Sequence, residues 1–396
     1  MNLKKIITLL LILPVLSGCH HFIMRSGNIA CKKEITEIPF EYRQGLPIIK
    51  VKINEESYDF LFDTGASNTI SQELTKKINA KTKGFQGVID SQRNKSILKI
   101  IQLDTISIGG YHFLNTGAIV ANLNKSIAVN CLDIDGIIGS NLIQLANWEI
   151  DFKNQIIKIS SSENQFKVSH NADTIKYKTD IYYKQYIDLK IGNIKIKNLT
   201  FDTGSNGYIT CSGKDYNKLI NNDLLSETNY GYGVSSSGLF GKGKPDSVFY
   251  ATTNSLTFGN TQINHPILEF REKHSNMIGT DFLKKFTVIL IPGEKEIILS
   301  KVDDREELAR TFGFGFFPYA NSLKVDYIIN NSIAAKKGLK LNDRIVEING
   351  MDVHSIDTKC YCDIQNKILS KKNSITITIH RKDNEIELEL FKTPIF

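Results

Sequence analysis

The chain has 396 residues, 41% hydrophobic and 23% charged, the balance of a water-exposed protein with two or three folded domains. Its formal charge of +7 includes Lys4 and Lys5 near the N-terminus, and the other basic residues are scattered among Asp and Glu with no long single-sign block. This argues against a nucleic-acid partner, and the absence of HExxH or CxxC spacing argues against a metal site.

In chain order, Lys4-Lys5 precedes an apolar run, Ile6 to Leu16, too short to span a bilayer as a stable helix. It ends in Leu16-Ser17-Gly18-Cys19, which resembles the lipobox of bacterial lipoproteins. That resemblance implies a signal peptide over 1–18, acylation of Cys19 and a lipidated tether over 19–36, with the membrane reached through the lipid anchor alone. His20 in place of Asp points to the periplasmic face of the outer membrane as the location in the cell envelope.

The chain then repeats itself. Leu61-Phe-Asp-Thr-Gly-Ala-Ser-Asn-Thr-Ile-Ser71 recurs as Thr200-Phe-Asp-Thr-Gly-Ser-Asn-Gly-Tyr-Ile-Thr210, and Gly136-Ile-Ile-Gly139 recurs as Asn276-Met-Ile-Gly279. Two motifs in one order at nearly one offset mark an internal duplication. Each copy runs on into alternating strands, Trp148–Phe152 and Ile156–Ile159 in the first, Phe286–Ile291 and Ile297–Leu299 in the second. Short β-branched strands between turn residues predict two all-β lobes, 37–160 and 173–301, joined by a polar linker at 161–172.

An Asp-Thr-Gly after an apolar residue places an acid at a strand end on a tight loop, where Gly65 and Gly204 permit close chain approach. Here the sequence resembles the pepsin and retropepsin aspartic peptidases, over residues of roughly 40 to 300. The resemblance implies a catalytic dyad of Asp63 and Asp202. It also implies support from Thr64, Gly65 and Ala66, from Thr203, Gly204 and Ser205, and from Gly139 and Gly279 of the apolar-apolar-Gly motifs. Two adjacent carboxyls share one proton, so one activates a water while the other donates to the scissile carbonyl, with no cofactor. Ser205, unlike Ala66, carries a hydroxyl able to hydrogen-bond its Asp, and the pair is expected to work at mildly acidic to neutral pH.

In the second lobe Tyr230 to Gly243 falls where such enzymes carry a substrate-covering flap, its glycines read as a source of mobility. Tyr230, Tyr232, Gly233 and Phe240 are candidates for substrate contact. The matching stretch of the first lobe, Gly84–Val88, lacks the Tyr that pepsins place on their flap, leaving open which lobe clamps the peptide.

After a charged connector at 302–310 comes Gly313-Phe-Gly-Phe316, then the strand Ser322–Ile329, Asn331-Ser-Ile-Ala-Ala and Leu341-Asn-Asp-Arg-Ile-Val-Glu-Ile-Asn-Gly350. This resembles a PDZ domain, here 311–396. The resemblance implies a carboxylate loop of Phe314, Gly315 and Phe316 that receives peptide C-termini, and a groove helix over Cys362–Lys371. The expected fold is therefore mainly β, with two pseudo-symmetric pepsin/retropepsin-like barrel lobes plus a small α+β PDZ domain. The expected function is a monomeric endopeptidase acting on polypeptides; the competing reading is a catalytically silent lipoprotein scaffold that binds peptides in the cleft and PDZ groove.

Overall fold

The computed structural model describes residues 21–30, 34–162, 166–272, 274–302, 309–320 and 322–396. The expected signal peptide and Cys19 lie outside them. Among the described residues no helix is long and apolar enough to cross a membrane.

The protein is mainly β, and its strands form where alternation and turn chemistry agree. Strand Thr36–Arg43 buries Ile38 and Phe40 and exposes Glu37, Pro39 and Glu41, the period-2 pattern of a half-buried strand. Strands Leu46–Ile53 and Glu56–Phe62 are joined through Asn54 and Glu55, both at positive φ (51° and 65°). Lys95–Ile108 and Tyr111–Ala121 are joined through Gly109 and Gly110, at φ 56° and 78°. Two positive φ values in a two-residue loop suit the twist of a hairpin.

The two halves are built alike. In the first, Glu56–Phe62 runs parallel to Gly136–Ile138, which lies antiparallel to Thr69–Ser71. In the second, Ile194–Phe201 runs parallel to Met277–Ile278, which lies antiparallel to Ile209–Ser212. Between them the strand order Asp173–Lys176, Glu296–Lys301, Phe286–Ile291, Asn147–Asp151, Ile156–Ser160, Thr36–Arg43 forms a sheet shared by both. Its central pair sets Trp148 opposite Leu290 and Ile150 opposite Val288, so the halves are joined by backbone hydrogen bonds as well as by packing.

One core runs through both halves. Trp148 is fully buried against Phe62 and Phe113, and its indole N–H donates to the Ile143 carbonyl at 2.8 Å. The C-terminal unit has a core of its own, including Phe316, Val325, Ile345, Ile364, Ile377 and Leu390. Its helix Thr358–Asp363 is capped by Asp357, whose carboxylate accepts the Cys360 N–H at 2.7 Å. It therefore starts four residues before the expected Cys362, and continues as a wider turn over Ile364–Leu369.

Residues 21–30, expected only as tether, pack onto the first half. A helical turn at 21–25 buries Met24 against Ile100 and Ile119, and Asn28–Ile29 pairs with Leu114 and Phe113.

Candidate active site

Each Asp-Thr-Gly ends a central strand, and the two loops meet. Thr64 N–H donates to Thr203 Oγ1 and Thr203 N–H donates to Thr64 Oγ1, both at 3.1 Å. Thr64 Oγ1 donates onward to the Phe201 carbonyl at 2.6 Å, and Thr203 Oγ1 to the Phe62 carbonyl at 2.8 Å. Both threonines are fully buried. Four reciprocal bonds of this kind, each worth about 1 kcal/mol net, fix the spacing of whatever the loops carry.

They carry Asp63 and Asp202. A Cβ on Gly65 would lie 2.5 Å from Asp202 Cγ, and one on Gly204 would lie still closer to Asp63 Cγ. Only glycine lets each carboxyl rest on the opposite loop. The apolar-apolar-Gly motifs brace these loops from behind. Ser140 N–H donates to the Ala66 carbonyl at 2.8 Å, and Thr280 N–H to the Ser205 carbonyl at 2.7 Å. Added Cβ atoms on Gly139 and Gly279 would run into the backbone at Ser67–Asn68 and at Gly207.

Each carboxyl lies against the opposite loop's glycine, so the two acids act on each other, and the pair is asymmetric. Asp63 Oδ1 accepts the Gly65 N–H at 2.8 Å and the Ala66 N–H at 2.9 Å, whereas Asp202 Oδ1 accepts the Gly204 N–H at 2.9 Å. Among the described hydrogen bonds the Ser205 hydroxyl makes none to Asp202, so its expected influence on that acid is not seen. Burial raises both acids, and the charge of Asp63 pushes Asp202 well above the ordinary carboxyl range. Two backbone donors favour the anion at Asp63 and one does at Asp202, so of the two it is Asp202 that is pushed further toward the protonated form. The positive charge of Lys184, a residue the motifs did not single out, works against burial at both acids.

Two hairpins, one from each half, meet tip to tip. In the first, Thr82–Ile89 pairs with Lys95–Ile108, with Asp90–Asn94 between them. In the second, Thr228–Gly233 pairs with Asp246–Thr252. Phe240 N–H donates to Asp90 Oδ2 at 2.9 Å, and Ser236 Oγ to Gln92 Oε1 at 3.0 Å. Each half thus carries a hairpin where a flap was expected.

The glycines of the second hairpin do not loosen it. Gly231 to Gly233 pairs antiparallel with Ile329 to Tyr327 of the C-terminal unit. A Cβ on Gly231 would strike the Tyr327 hydroxyl, and one on Gly233 the Asp326 carbonyl oxygen. These glycines serve close approach. Val234 N–H donates to that same carbonyl at 2.7 Å, and the Tyr250 and Tyr327 hydroxyls are 2.8 Å apart. Tyr230 and Tyr232 stay half-exposed on the opposite strand face. A disulfide, Cys131–Cys362, ties the first half to the helix of the C-terminal unit. Phe314, Gly315 and Phe316 start the strand Phe314–Tyr319, with a bulge between Gly315 and Phe316. Phe316 is buried and its carbonyl accepts the Tyr361 hydroxyl at 3.3 Å. Among the described residues no group of three or more His, Cys, Asp or Glu is placed to hold a metal.

A family model described as an aspartyl protease matches residues 49–142, the span that holds Asp63, Gly139 and the first hairpin. A PDZ domain model matches residues 300–380. The chain carries an aspartyl protease domain and a PDZ domain. No curated protein matches the chain. Asp202 lies outside the matched protease span, and its place beside Asp63 rests on the geometry above. The PDZ domain supports peptide binding in general.

Proposed function

We propose that the chain is an aspartic endopeptidase whose catalytic dyad is Asp63 and Asp202, one from each of two lobes on a single, monomeric polypeptide. The observation that carries this reading is the pair of carboxyls, each set against the opposite loop's glycine, on two reciprocally bonded Asp-Thr-Gly loops. Asp63, as the anion, takes a proton from a water lying between the acids. The hydroxide so formed adds to the scissile carbonyl carbon, while Asp202 gives its proton to the carbonyl oxygen. The product is a tetrahedral gem-diol. Its collapse breaks the C–N bond: the departing amine takes up the proton gained by Asp63, and one gem-diol hydroxyl returns its proton to Asp202 as the carboxyl product forms. The flaps exclude bulk water during this step, which strengthens every charge interaction inside. The PDZ domain assists by receiving polypeptide C-termini at Phe314–Phe316, and Cys19 anchors the enzyme by its acyl chains to the periplasmic face of the outer membrane.

The test is digestion of casein and of a peptide library by the full chain beside Asp63→Asn and Asp202→Asn. Wild type is expected to cleave, a statine-containing inhibitor to block it, and each variant to lose at least about 1,000-fold in rate. Peptide binding with equal affinity in all three proteins and no cleavage by any would establish the scaffold reading instead.

A further inference from the structure

We propose that the cleft is chemically two-sided: the first half receives an apolar side chain next to the scissile bond, and Lys184 of the second half selects an acidic one on the other side. This rests on the peptidase reading and specifies its substrate. The register of the strands carries it. Leu61 and Thr200 each stand two residues before a dyad acid, on the strand face that acid shares. Leu61 pairs with Ile48 on one side and Ile137 on the other. Thr200 pairs with Tyr186 on one side and Met277 on the other. Two residues before Ile48 stands Leu46; two before Tyr186 stands Lys184.

The matched sets differ in kind. Leu46, Ile48, Leu61 and Ile137 form one apolar cluster with Leu132, and Ala66 and Ile134 present its partly exposed edge. Their counterparts Lys184, Tyr186, Thr200 and Met277, with Ser205 in place of Ala66, belong to no such cluster and are all partly exposed. A carboxylate side chain would be rejected by the first surface, where it would lose hydration without a partner, and accepted by the second.

The backbone of Lys184 is held in place, and the dyad acids are carboxylates that its charge reaches. Its turn is fixed from both ends: Asp180 Oδ1 accepts the Tyr182 N–H at 2.8 Å and the Lys184 N–H at 3.1 Å. Across the interface, Ser140 Oγ donates to the Tyr182 carbonyl at 2.8 Å while also bonding the Ala66 carbonyl. The turn therefore abuts the loop of Asp63. Asp180, the nearest acid in sequence, spends its other oxygen on the Tyr186 hydroxyl at 3.4 Å. Among the described ion pairs none includes the Lys184 ammonium. A half-buried cation beside the reacting centre, with its charge felt by both dyad acids, is a ready partner for a substrate carboxylate.

The test is product sequencing after digestion of a randomised peptide library by the full chain, with wild type, Lys184→Leu and Lys184→Arg compared. The readout is the ratio of kcat/KM for substrates with Asp or Glu on one side of the cleaved bond to that for matched all-apolar substrates. Each enzyme is assayed at its own pH optimum, because removing Lys184 also shifts the dyad. Wild type should favour an apolar residue on one side and an acidic residue on the other. Lys184→Leu, which installs the first half's residue, should lower the ratio roughly 10- to 100-fold, and Lys184→Arg should keep it. Equal cleavage of apolar–apolar pairs by wild type, or an acidic preference that survives Lys184→Leu, overturns the two-sided cleft while leaving the peptidase standing. No cleavage by wild type, with no statine binding, overturns both.

Discussion

Replacing Asp202 by Asn should abolish turnover and yet stabilise the protein at neutral pH. Burial and the charge of Asp63 raise Asp202 well above the ordinary carboxyl range in the folded state; in the unfolded chain it titrates near 3.9. Below that value both states hold the proton and the group has no effect on stability. As pH rises, the unfolded chain releases the proton while the folded chain keeps it, so stability falls by about 1.4 kcal/mol per pH unit until the folded value is passed. Asn carries no titrating proton, and its amide can still donate to Asp63 as the protonated acid does. Its stability curve should therefore diverge upward from that of wild type above about pH 4. In melting temperature the gap should widen by roughly 2–3 °C per pH unit. Differential scanning fluorimetry of both proteins from pH 3 to pH 8 reads this directly, and the slope of the difference is independent of any fixed offset caused by the substitution. Parallel curves, or a gap that narrows with pH, would mean that the two acids do not share a proton, and the dyad reasoning would fall with it.

Gly204→Ala sets a methyl group against the Asp63 carboxyl, so the acids must part by about 1 Å, and kcat should fall on the order of 100-fold; Gly65→Ala should act alike, and unchanged kcat in a folded variant would refute the close approach. Cys362→Ser removes a crosslink spanning 231 residues, for which chain entropy predicts a loss of about 5.5 kcal/mol. Because the PDZ strand is paired with the second flap, that variant should also gain kcat/KM for intact proteins relative to short peptides; thermal melts and paired digests check the two parts, and an unaltered ratio would show that the flap opens without the PDZ domain.

Much of the site was legible because its chemistry is local. An Asp, a Thr and a Gly in succession, each followed by an apolar-apolar-Gly, specify a loop and its brace within a few residues, and the repeat offset put the two copies in register. The offset hid Lys184, because it sets Gln185 against Leu46; only the strand register, with Tyr186 opposite Thr200 where Ile48 stands opposite Leu61, sets the lysine at the leucine's place. That comparison was not part of the motif. What sequence concealed was long-range. Nothing local in Tyr230-Gly-Tyr-Gly233 distinguishes a supple loop from a strand thinned to admit Tyr327, because both uses call for glycine. The partners of Cys131 and Cys362 are set by how two separately cored units dock, a property of their surfaces and not of any spacing. The start of the PDZ helix was readable after all, in Asp357-Thr358 as a cap and first turn, but the apolar positions drew attention four residues too far along.

The burial of Met24 has a consequence for where the molecule can go. His21 already stands in the helical turn that delivers Met24 to the core, and a fully extended chain covers at most about 3.6 Å per residue. If Cys19 bears the acyl chains proposed for it, two residues of slack leave roughly 7 Å between lipid and folded body. Such an enzyme has no leash on which to roam: it lies flush on the bilayer, and the polypeptides it meets first are those emerging from, or resting on, the same leaflet.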